Sequence, residues 1–240
     1  MLRLAIFLSG SGTTAEAVMR ACQSGRLPEI NPALVISSRP DAGGIERAKQ
    51  CGIPEGDVVV IRPKDFSSPE VFGEALLREL SERRIDIVGQ YGWMVKTPEN
   101  VINAYRGKLI NQHPGPLDPG REDFGGKGMY GRRVHAARLY FVRTTNRDFW
   151  TEATAHRVEV EYDRGAVIGR KRLEILASDD PVSLGQRLLP VEHDVQIKAL
   201  EDLMQNRVIE LTREQPLVQE GEEHILEESK KAAGILFPMG

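Results

Sequence analysis

The first run of the chain, Leu2–Leu8, is apolar and ends at Gly10 and Gly12, after which Thr13–Ser24 follows a helical pattern. A strand that turns on glycine into a helix is the opening unit of an α/β protein, since the helix must pack back across its strand. The alternation then recurs. Asn31–Ser38, Val58–Ile61, Ile85–Val88 and Lys108–His113 read as strands. Gly43–Cys51, Pro69–Arg83 and Pro98–Tyr105 read as helices between them. Thr13 and Asp41 are placed to cap the first two helices. Val71, Phe72, Ala75, Leu76 and Leu80 form the buried side of the third. Apolar strands separated by helices predict a Rossmann-like α/β fold, a largely parallel central sheet flanked by helices.

Beyond His113 the pattern changes. Pro114–Gly131 is rich in Gly and Pro and reads as a long loop, a kind of segment that is often functional. Arg132, Arg133, Arg138, Arg143 and Arg147 follow on a helix, where a solvated face is the plain expectation and an anion patch the other. Ala153–Val160 and Ala166–Leu176 read as strands around a turn at Asp163–Gly165. Val182–Arg207 is helical with a break expected at Pro190, Val208–Leu211 reads as one more strand, and Glu222–Ala233 as a weak helix. These segments suggest one domain over residues 1–212 and a C-terminal extension over 213–240.

Composition narrows the function classes. A net charge of −3 in 240 residues is not that of a nucleic-acid polycation, so an anionic ligand must be held by local groups. Cys22 and Cys51 are the only cysteines, too few for a disulfide framework or a thiolate zinc site and compatible with a cytoplasmic protein. Glu192-His193-Asp194 and Glu223-His224 lack zinc-protease spacing, and no metal is indicated. No apolar run approaches the roughly 18 residues that suggest a membrane span.

Three stretches carry candidate chemistry. Gly10, Gly12 and Ala15 fit a dinucleotide fingerprint, with Arg39 where a 2′-phosphate could sit. The same turn could instead receive another phosphate, or be a bare turn; the triphosphate-binding pattern is absent. Asn111 and His113, two apart on an extended segment, project to one face at the end of a strand. An amide beside an imidazole suits stabilising an oxyanion while moving a proton, although both could equally satisfy loop backbone groups. In HRVEVEYDRGAVIG, His156 by itself reads as a half-buried core residue and Asp163 as a turn former.

In this order the pieces SGSGTT, VISSRPDAGGIERAKQCGIP, GWMVKTPENV, NQHPGPL, HRVEVEYDRGAVI and VEH resemble the folate-dependent formyltransferases, over about Leu2–Leu211. The resemblance is nearest to the branch acting on 5′-phosphoribosylglycinamide in purine biosynthesis. It implies transfer of a formyl group from the co-substrate 10-formyltetrahydrofolate, a step of one-carbon metabolism, with the amine of that ribonucleotide as acceptor. Asn111 and protonated His113 would hold the developing oxyanion, Asp163 would pair with His113 and relay a proton, and His156 would support them. Gly12, Thr13 and Thr14 would receive the monophosphate, and Glu192 the ribose hydroxyls. Gly92, Trp93, Met94 and Val95, with Glu161, Tyr162, Asp163 and Asn111, would line the folate site. The partners so implied are small molecules, not nucleic acid or membrane, for a monomer or homodimer. Alternatives are a formyltransferase for another amine, such as an amino sugar nucleotide, and an NADP oxidoreductase. The chain departs from the family pattern in having Thr13-Thr14 where Ser-Asn is usual, Gly115 after His-Pro, and a longer stretch between His113 and His156.

Overall fold

The structure is a computed structural model that describes residues 1–238. Its strands are β1 (Leu2–Leu8), β2 (Ile30–Ser37), β3 (Val58–Val60), β4 (Ile87–Gln90), β5 (Leu109–His113), β6 (Trp150–Arg157) and β7 (Val167–Glu174). Its helices are α1 (Thr13–Gln23), α2 (Gly43–Gln50), α3 (Pro69–Glu82), α4 (Glu99–Ala104), α5 (Arg132–Thr145), α6 (Pro181–Met204) and α7 (Glu223–Leu236). The strand order is β3-β2-β1-β4-β5-β6-β7. The sheet is therefore the mostly parallel, helix-flanked one that the sequence predicts. The chain forms two compact units, Met1–Asn111 with Leu200–Val208, and Gln112–Ala199 with Ile209–Gly240.

In the first unit β1 pairs in parallel with β2 and β4, β2 with β3, and β4 with the start of β5. Leu4, Ile6, Phe7 and Leu8 are fully buried, as expected for a strand covered on both faces. The β1–β2 register slips after Leu4, opposite Pro32, which has no N–H to give the ladder. The order turns back between β1 and β4, and the ends of those strands form the switch point where open α/β sheets bind ligands.

In the second unit β6 and β7 are antiparallel, with a register slip between Ala155 and His156. The chain returns so closely there that a Cβ at Gly165 would lie 1.9 Å from the Arg157 carbonyl oxygen. Only glycine fits. Phe124, Val134, Ala137 and Phe141 share a core with Leu217, Val218, Leu226 and Ala233. The segment beyond residue 212 thus contributes apolar burial of its own, through α7.

Several local expectations change. Neither Thr13 nor Asp41 caps its helix: the caps are Gly12 and Ala42, without side-chain hydrogen bonds. Val71 is exposed, because it lies off the stripe of Phe72, Ala75, Leu76 and Leu80. Strand β4 starts two residues later than Ile85, and β6 starts at Trp150 because it pairs back to Glu174. Helix α6 runs through Pro190, held by a face on which Leu184, Leu188 and Val195 are buried. Val208–Leu211 is not a strand, although the Leu211 N–H donates to the Val167 carbonyl at 2.8 Å.

The five arginines in and just after α5 divide: Arg132 and Arg143 are exposed, as a solvated face requires, Arg133 and Arg147 are half-buried, and Arg138 is buried. Arg138 is fully buried between the rings of Phe124 and Trp150, 4.9 and 4.7 Å from their centroids. It donates to the carbonyls of Asp148 and Trp150, both at 2.8 Å. Burial pushes its pKa down to about 9. Arg133 of α5 donates to the Phe237 carbonyl, and Arg147, just after the helix, pairs with Glu222, so both reach the C-terminal segment. Arg143 reaches the Asp179 carbonyl.

Candidate active site

At the switch point of the first unit, two loops meet on a serine. The Ser9 backbone N–H donates to the Gly92 carbonyl at 3.0 Å, and its Oγ accepts from the Met94 N–H at 2.9 Å. Ser38 Oγ lies 2.7 Å from Ser9 Oγ. Ser9 thereby joins the glycine turn after β1 to the loop after β4. In the sequence it is marked only by its place immediately after the first apolar run.

Gly12 has φ +74°, and a Cβ there would sit 2.4 Å from the Gly44 Cα. Thr13 is half-buried and Thr14 buried, and the Gly44 N–H donates to the Gly10 carbonyl at 3.1 Å. With no side chain capping α1, the N–H groups of its first turn can serve an incoming anion. The close approach of Gly44 makes Gly12 structural as well. Gly12→Ala is expected to lower stability by about 1–3 kcal/mol through left-handed strain and displacement of α2, seen as an earlier urea midpoint; an unchanged midpoint would contradict this packing.

The loop after β4 divides its four residues. Trp93 is buried against Phe7, centroids 5.0 Å apart. Gly92 and Met94 are exposed, and Val95 lies between these extremes. Trp93 therefore anchors the loop, and the surface it offers a ligand comes from its neighbours. Asn111 is half-buried on β5, opposite Gln90 of β4. Arg39, marked in the sequence for a 2′-phosphate, is exposed and pairs with Asp41 at 2.7 Å.

The second unit holds a carboxylate between two histidines. His113 and His156 are both buried, and Asp163 lies in the turn after β6 with φ +57°. Asp163 Oδ2 is 3.7 Å from His113 Nδ1, and Oδ1 is 3.4 Å from His156 Nε2. His113 Nε2 is 3.2 Å from the Phe124 carbonyl and His156 Nδ1 is 2.8 Å from the Arg157 carbonyl. A carbonyl can only accept, so each of these nitrogens carries the proton. Gly126 N–H donates to Asp163 Oδ2 at 2.9 Å. Burial alone would raise the Asp163 pKa, but His113, His156 and the Gly126 N–H outweigh it and hold the carboxyl well below the usual carboxylate range. For His113 the balance goes the other way. Burial lowers its pKa below the ordinary value, and the attraction of Asp163 offsets only part of that.

The turn residues Glu161 and Tyr162 are exposed beside Asp163. Glu192, on α6, is buried and accepts from Gln112 Nε2, the neighbour of His113 on β5. Burial pushes its pKa up to about 8. The native state therefore binds a proton that the unfolded chain, near the ordinary 4.5, has lost. Stability should fall as pH rises from about 4.5 to about 8. Glu192→Gln, neutral at every pH, is expected to be more stable than the parent by about 3 kcal/mol at pH 7. Urea unfolding at pH 5 and pH 8 checks this: the gap between the proteins must widen with pH, and a constant gap would refute it.

The sequence marks Pro114–Gly131 as a loop of a functional kind but does not mark Asp123, which organises it. Asp123 Oδ2 accepts from the Asp118 N–H at 2.8 Å, and its Oδ1 from the Gly125 N–H at 2.9 Å. Phe124 then gives its carbonyl to His113, and Gly126 its N–H to Asp163. An aspartate ahead of a glycine pair, in DFGG, was the available cue. Among the described residues, no group of three or more His, Cys, Asp or Glu is placed to hold a metal ion. No helix among them is long and apolar enough to cross a membrane.

A buried imidazole that exchanges charge with a neighbouring carboxylate is equipped to move a proton and to donate to a developing oxyanion. The family model "Formyl transferase" matches residues 2–200. Phosphoribosylglycinamide formyltransferase of Bacillus subtilis (strain 168) is 29% identical over 199 residues, covering 80% of this chain and 90% of the relative. The chloroplastic phosphoribosylglycinamide formyltransferase of Arabidopsis thaliana is 28% identical over 208 residues, 86% of this chain. The chain spans 66% of that plant relative's length. The crystal structure of glycinamide ribonucleotide transformylase 1 from Symbiobacterium toebii superposes with a TM-score of 0.76 at 28% identity, covering 89% of this chain and 92% of the other. The chain belongs to the formyl transferase family.

Proposed function

We propose that the protein transfers the formyl group of 10-formyltetrahydrofolate to the amine of 5′-phosphoribosylglycinamide, in the cytoplasm, as a step of purine biosynthesis. The observation that carries this reading is the Asp163 carboxylate set between the buried His113 and His156, on a family scaffold whose relatives bear that activity in their names. The acceptor's amine attacks the formyl carbon, the carbonyl oxygen gains charge, and the bond from carbon to the folate nitrogen breaks. The proton lost by the amine ends on that nitrogen, giving the formamide and tetrahydrofolate. Asn111 and His113 donate to the oxyanion, His113 exchanging the Phe124 carbonyl for it at Nε2, and Asp163 favours the charged imidazole and passes the proton on. His156 holds Asp163 from its other side.

Gly12, Thr13 and Thr14 receive the monophosphate at the start of α1. Glu192, kept mostly protonated near neutrality by burial, can both donate to and accept from the ribose hydroxyls. Gly92, Met94 and Val95, with Trp93 beneath them, and Glu161, Tyr162, Asp163 and Asn111 form the folate walls. An oxidoreductase using NADP would leave Asp163 and its two histidines without a joint task, and Arg39 is already paired.

The test is an assay with 10-formyltetrahydrofolate and glycinamide ribonucleotide that follows both tetrahydrofolate and the formylated product. Stoichiometric appearance of the two is expected. Formylation of an amino sugar nucleotide alone would keep the chemistry and overturn the acceptor.

A further inference from the structure

Helix α7 lies outside the matched family segment, yet one of its side chains reaches the loop that holds the catalytic pair. Lys230 Nζ donates to the Gly125 carbonyl at 3.0 Å. The N–H of the same peptide unit, on Gly126, donates to Asp163 Oδ2 at 2.9 Å. The series is continuous: ammonium, Gly125 carbonyl, Gly126 N–H, Asp163 carboxylate. An ammonium on the oxygen of a peptide draws charge from it and makes its N–H a stronger donor. The carboxylate at the far end is the one that faces His113 and His156.

We infer that Lys230 is a positioning residue for formyl transfer, fixing the orientation of the Gly125–Gly126 peptide and through it the Asp163 carboxylate. This rests on the role proposed above for Asp163. The loop has little freedom to compensate. A Cβ at Gly125 would stand 2.6 Å from Leu117 Cδ2 and 2.8 Å from Asp163 Cβ, so the peptide is wedged against the carboxylate's own stem. Asp123 fixes the other end through the Asp118 and Gly125 N–H groups. Lys230 also feels the acidic Asp123, Glu122 and Asp163 and the basic Arg164, and burial lowers its pKa from the ordinary value. Helix α7 is itself seated by Leu226 and Ala233 in the core it shares with α5.

Lys230→Met keeps the stem and removes the ammonium. It is expected to lower kcat about tenfold while KM for both substrates stays within about twofold, since a displaced catalytic group costs turnover and not ground-state binding. Lys230→Arg, which can still donate a charged hydrogen bond, should recover most of kcat. The Gly126 amide proton, assigned by NMR in the full chain without substrate, should move upfield in Lys230→Met and return in Lys230→Arg. Wild-type kcat in folded Lys230→Met, or a lowered kcat with an unmoved Gly126 resonance, overturns the inference. Should Lys230→Met fail to fold, Lys230→Leu, which also lacks a donor, carries the same two readings. The amide shift needs no turnover, so a protein inactive on glycinamide ribonucleotide would refute the proposed reaction and leave this coupling to be judged by itself.

Discussion

His113→Ala is expected to turn over about a hundred- to a thousandfold more slowly than the parent, about 3–4 kcal/mol on the barrier, the usual loss on removing one oxyanion donor. The sequence places this histidine at a strand's rim, where truncation should leave folding nearly untouched. The structure alters that expectation, because His113 is only 2% exposed. Its removal leaves the Phe124 carbonyl without a donor and the Asp163 carboxylate facing one histidine fewer. A buried polar group left unsatisfied costs about 1–3 kcal/mol, so a lower melting temperature should accompany the loss of rate. The two effects separate when kcat is measured well below the variant's own melting temperature. Near-normal turnover there would remove His113 from the reaction.

Asp163→Asn is expected to fold, to bind both substrates, and to turn over slowly at pH 7. The backbone at Asp163 is left-handed, and asparagine adopts that conformation as readily as aspartate. The substitution thus keeps the turn and removes the charge. Two opposed influences act on His113: burial, which disfavours the imidazolium, and Asp163, which favours it. With the carboxylate gone the largest influence favouring the charge is lost, leaving only Asp123 and the Phe124 carbonyl against burial and His156, and the His113 pKa should fall further below its already lowered value. The charged fraction at pH 7 falls with it. Lowering the pH should recover part of the rate by reprotonating His113, but not all, since the relay of the amine's proton is also lost. The measurement is a pH–rate profile of kcat beside an NMR titration of His113. An unchanged histidine pKa together with parental turnover would return Asp163 to the role of a turn former.

Asp163 illustrates how far residue patterns reach. Its place before Gly165 announces a turn, and the turn is there, left-handed at Asp163 and closed so tightly that only glycine fits at 165. Nothing local to DRG says that the same carboxylate stands between two histidines from β5 and β6. That association entered the sequence reading through family resemblance. Spacing within the motif could not supply it, because the residues are brought together by strand pairing over tens of positions. Arg138 makes the converse point. Five arginines in a helical window look solvated, since charged side chains are rarely buried unpaired. The buried one is accommodated by two aromatic rings and two carbonyls that come from elsewhere in the chain.

The sequence by itself determined the order and type of most elements. Hydrophobic periodicity is a local property, and a parallel strand covered on both faces writes it as a continuous apolar run, as in Leu4–Leu8. It also determined the glycine turn at Gly10 and Gly12, because a backbone with φ +74° beside Gly44 admits little else. Only the tertiary structure decided which groups are buried and what they face. It made Ser9 a bridge between two loops, raised the pKa of Glu192, set the opposed influences on His113, and brought Lys230 to the Gly125 carbonyl. Desolvation and charge interaction depend on distances in space that neighbours in sequence do not encode, so the shape of the site can be foreseen from its motifs while its protonation cannot.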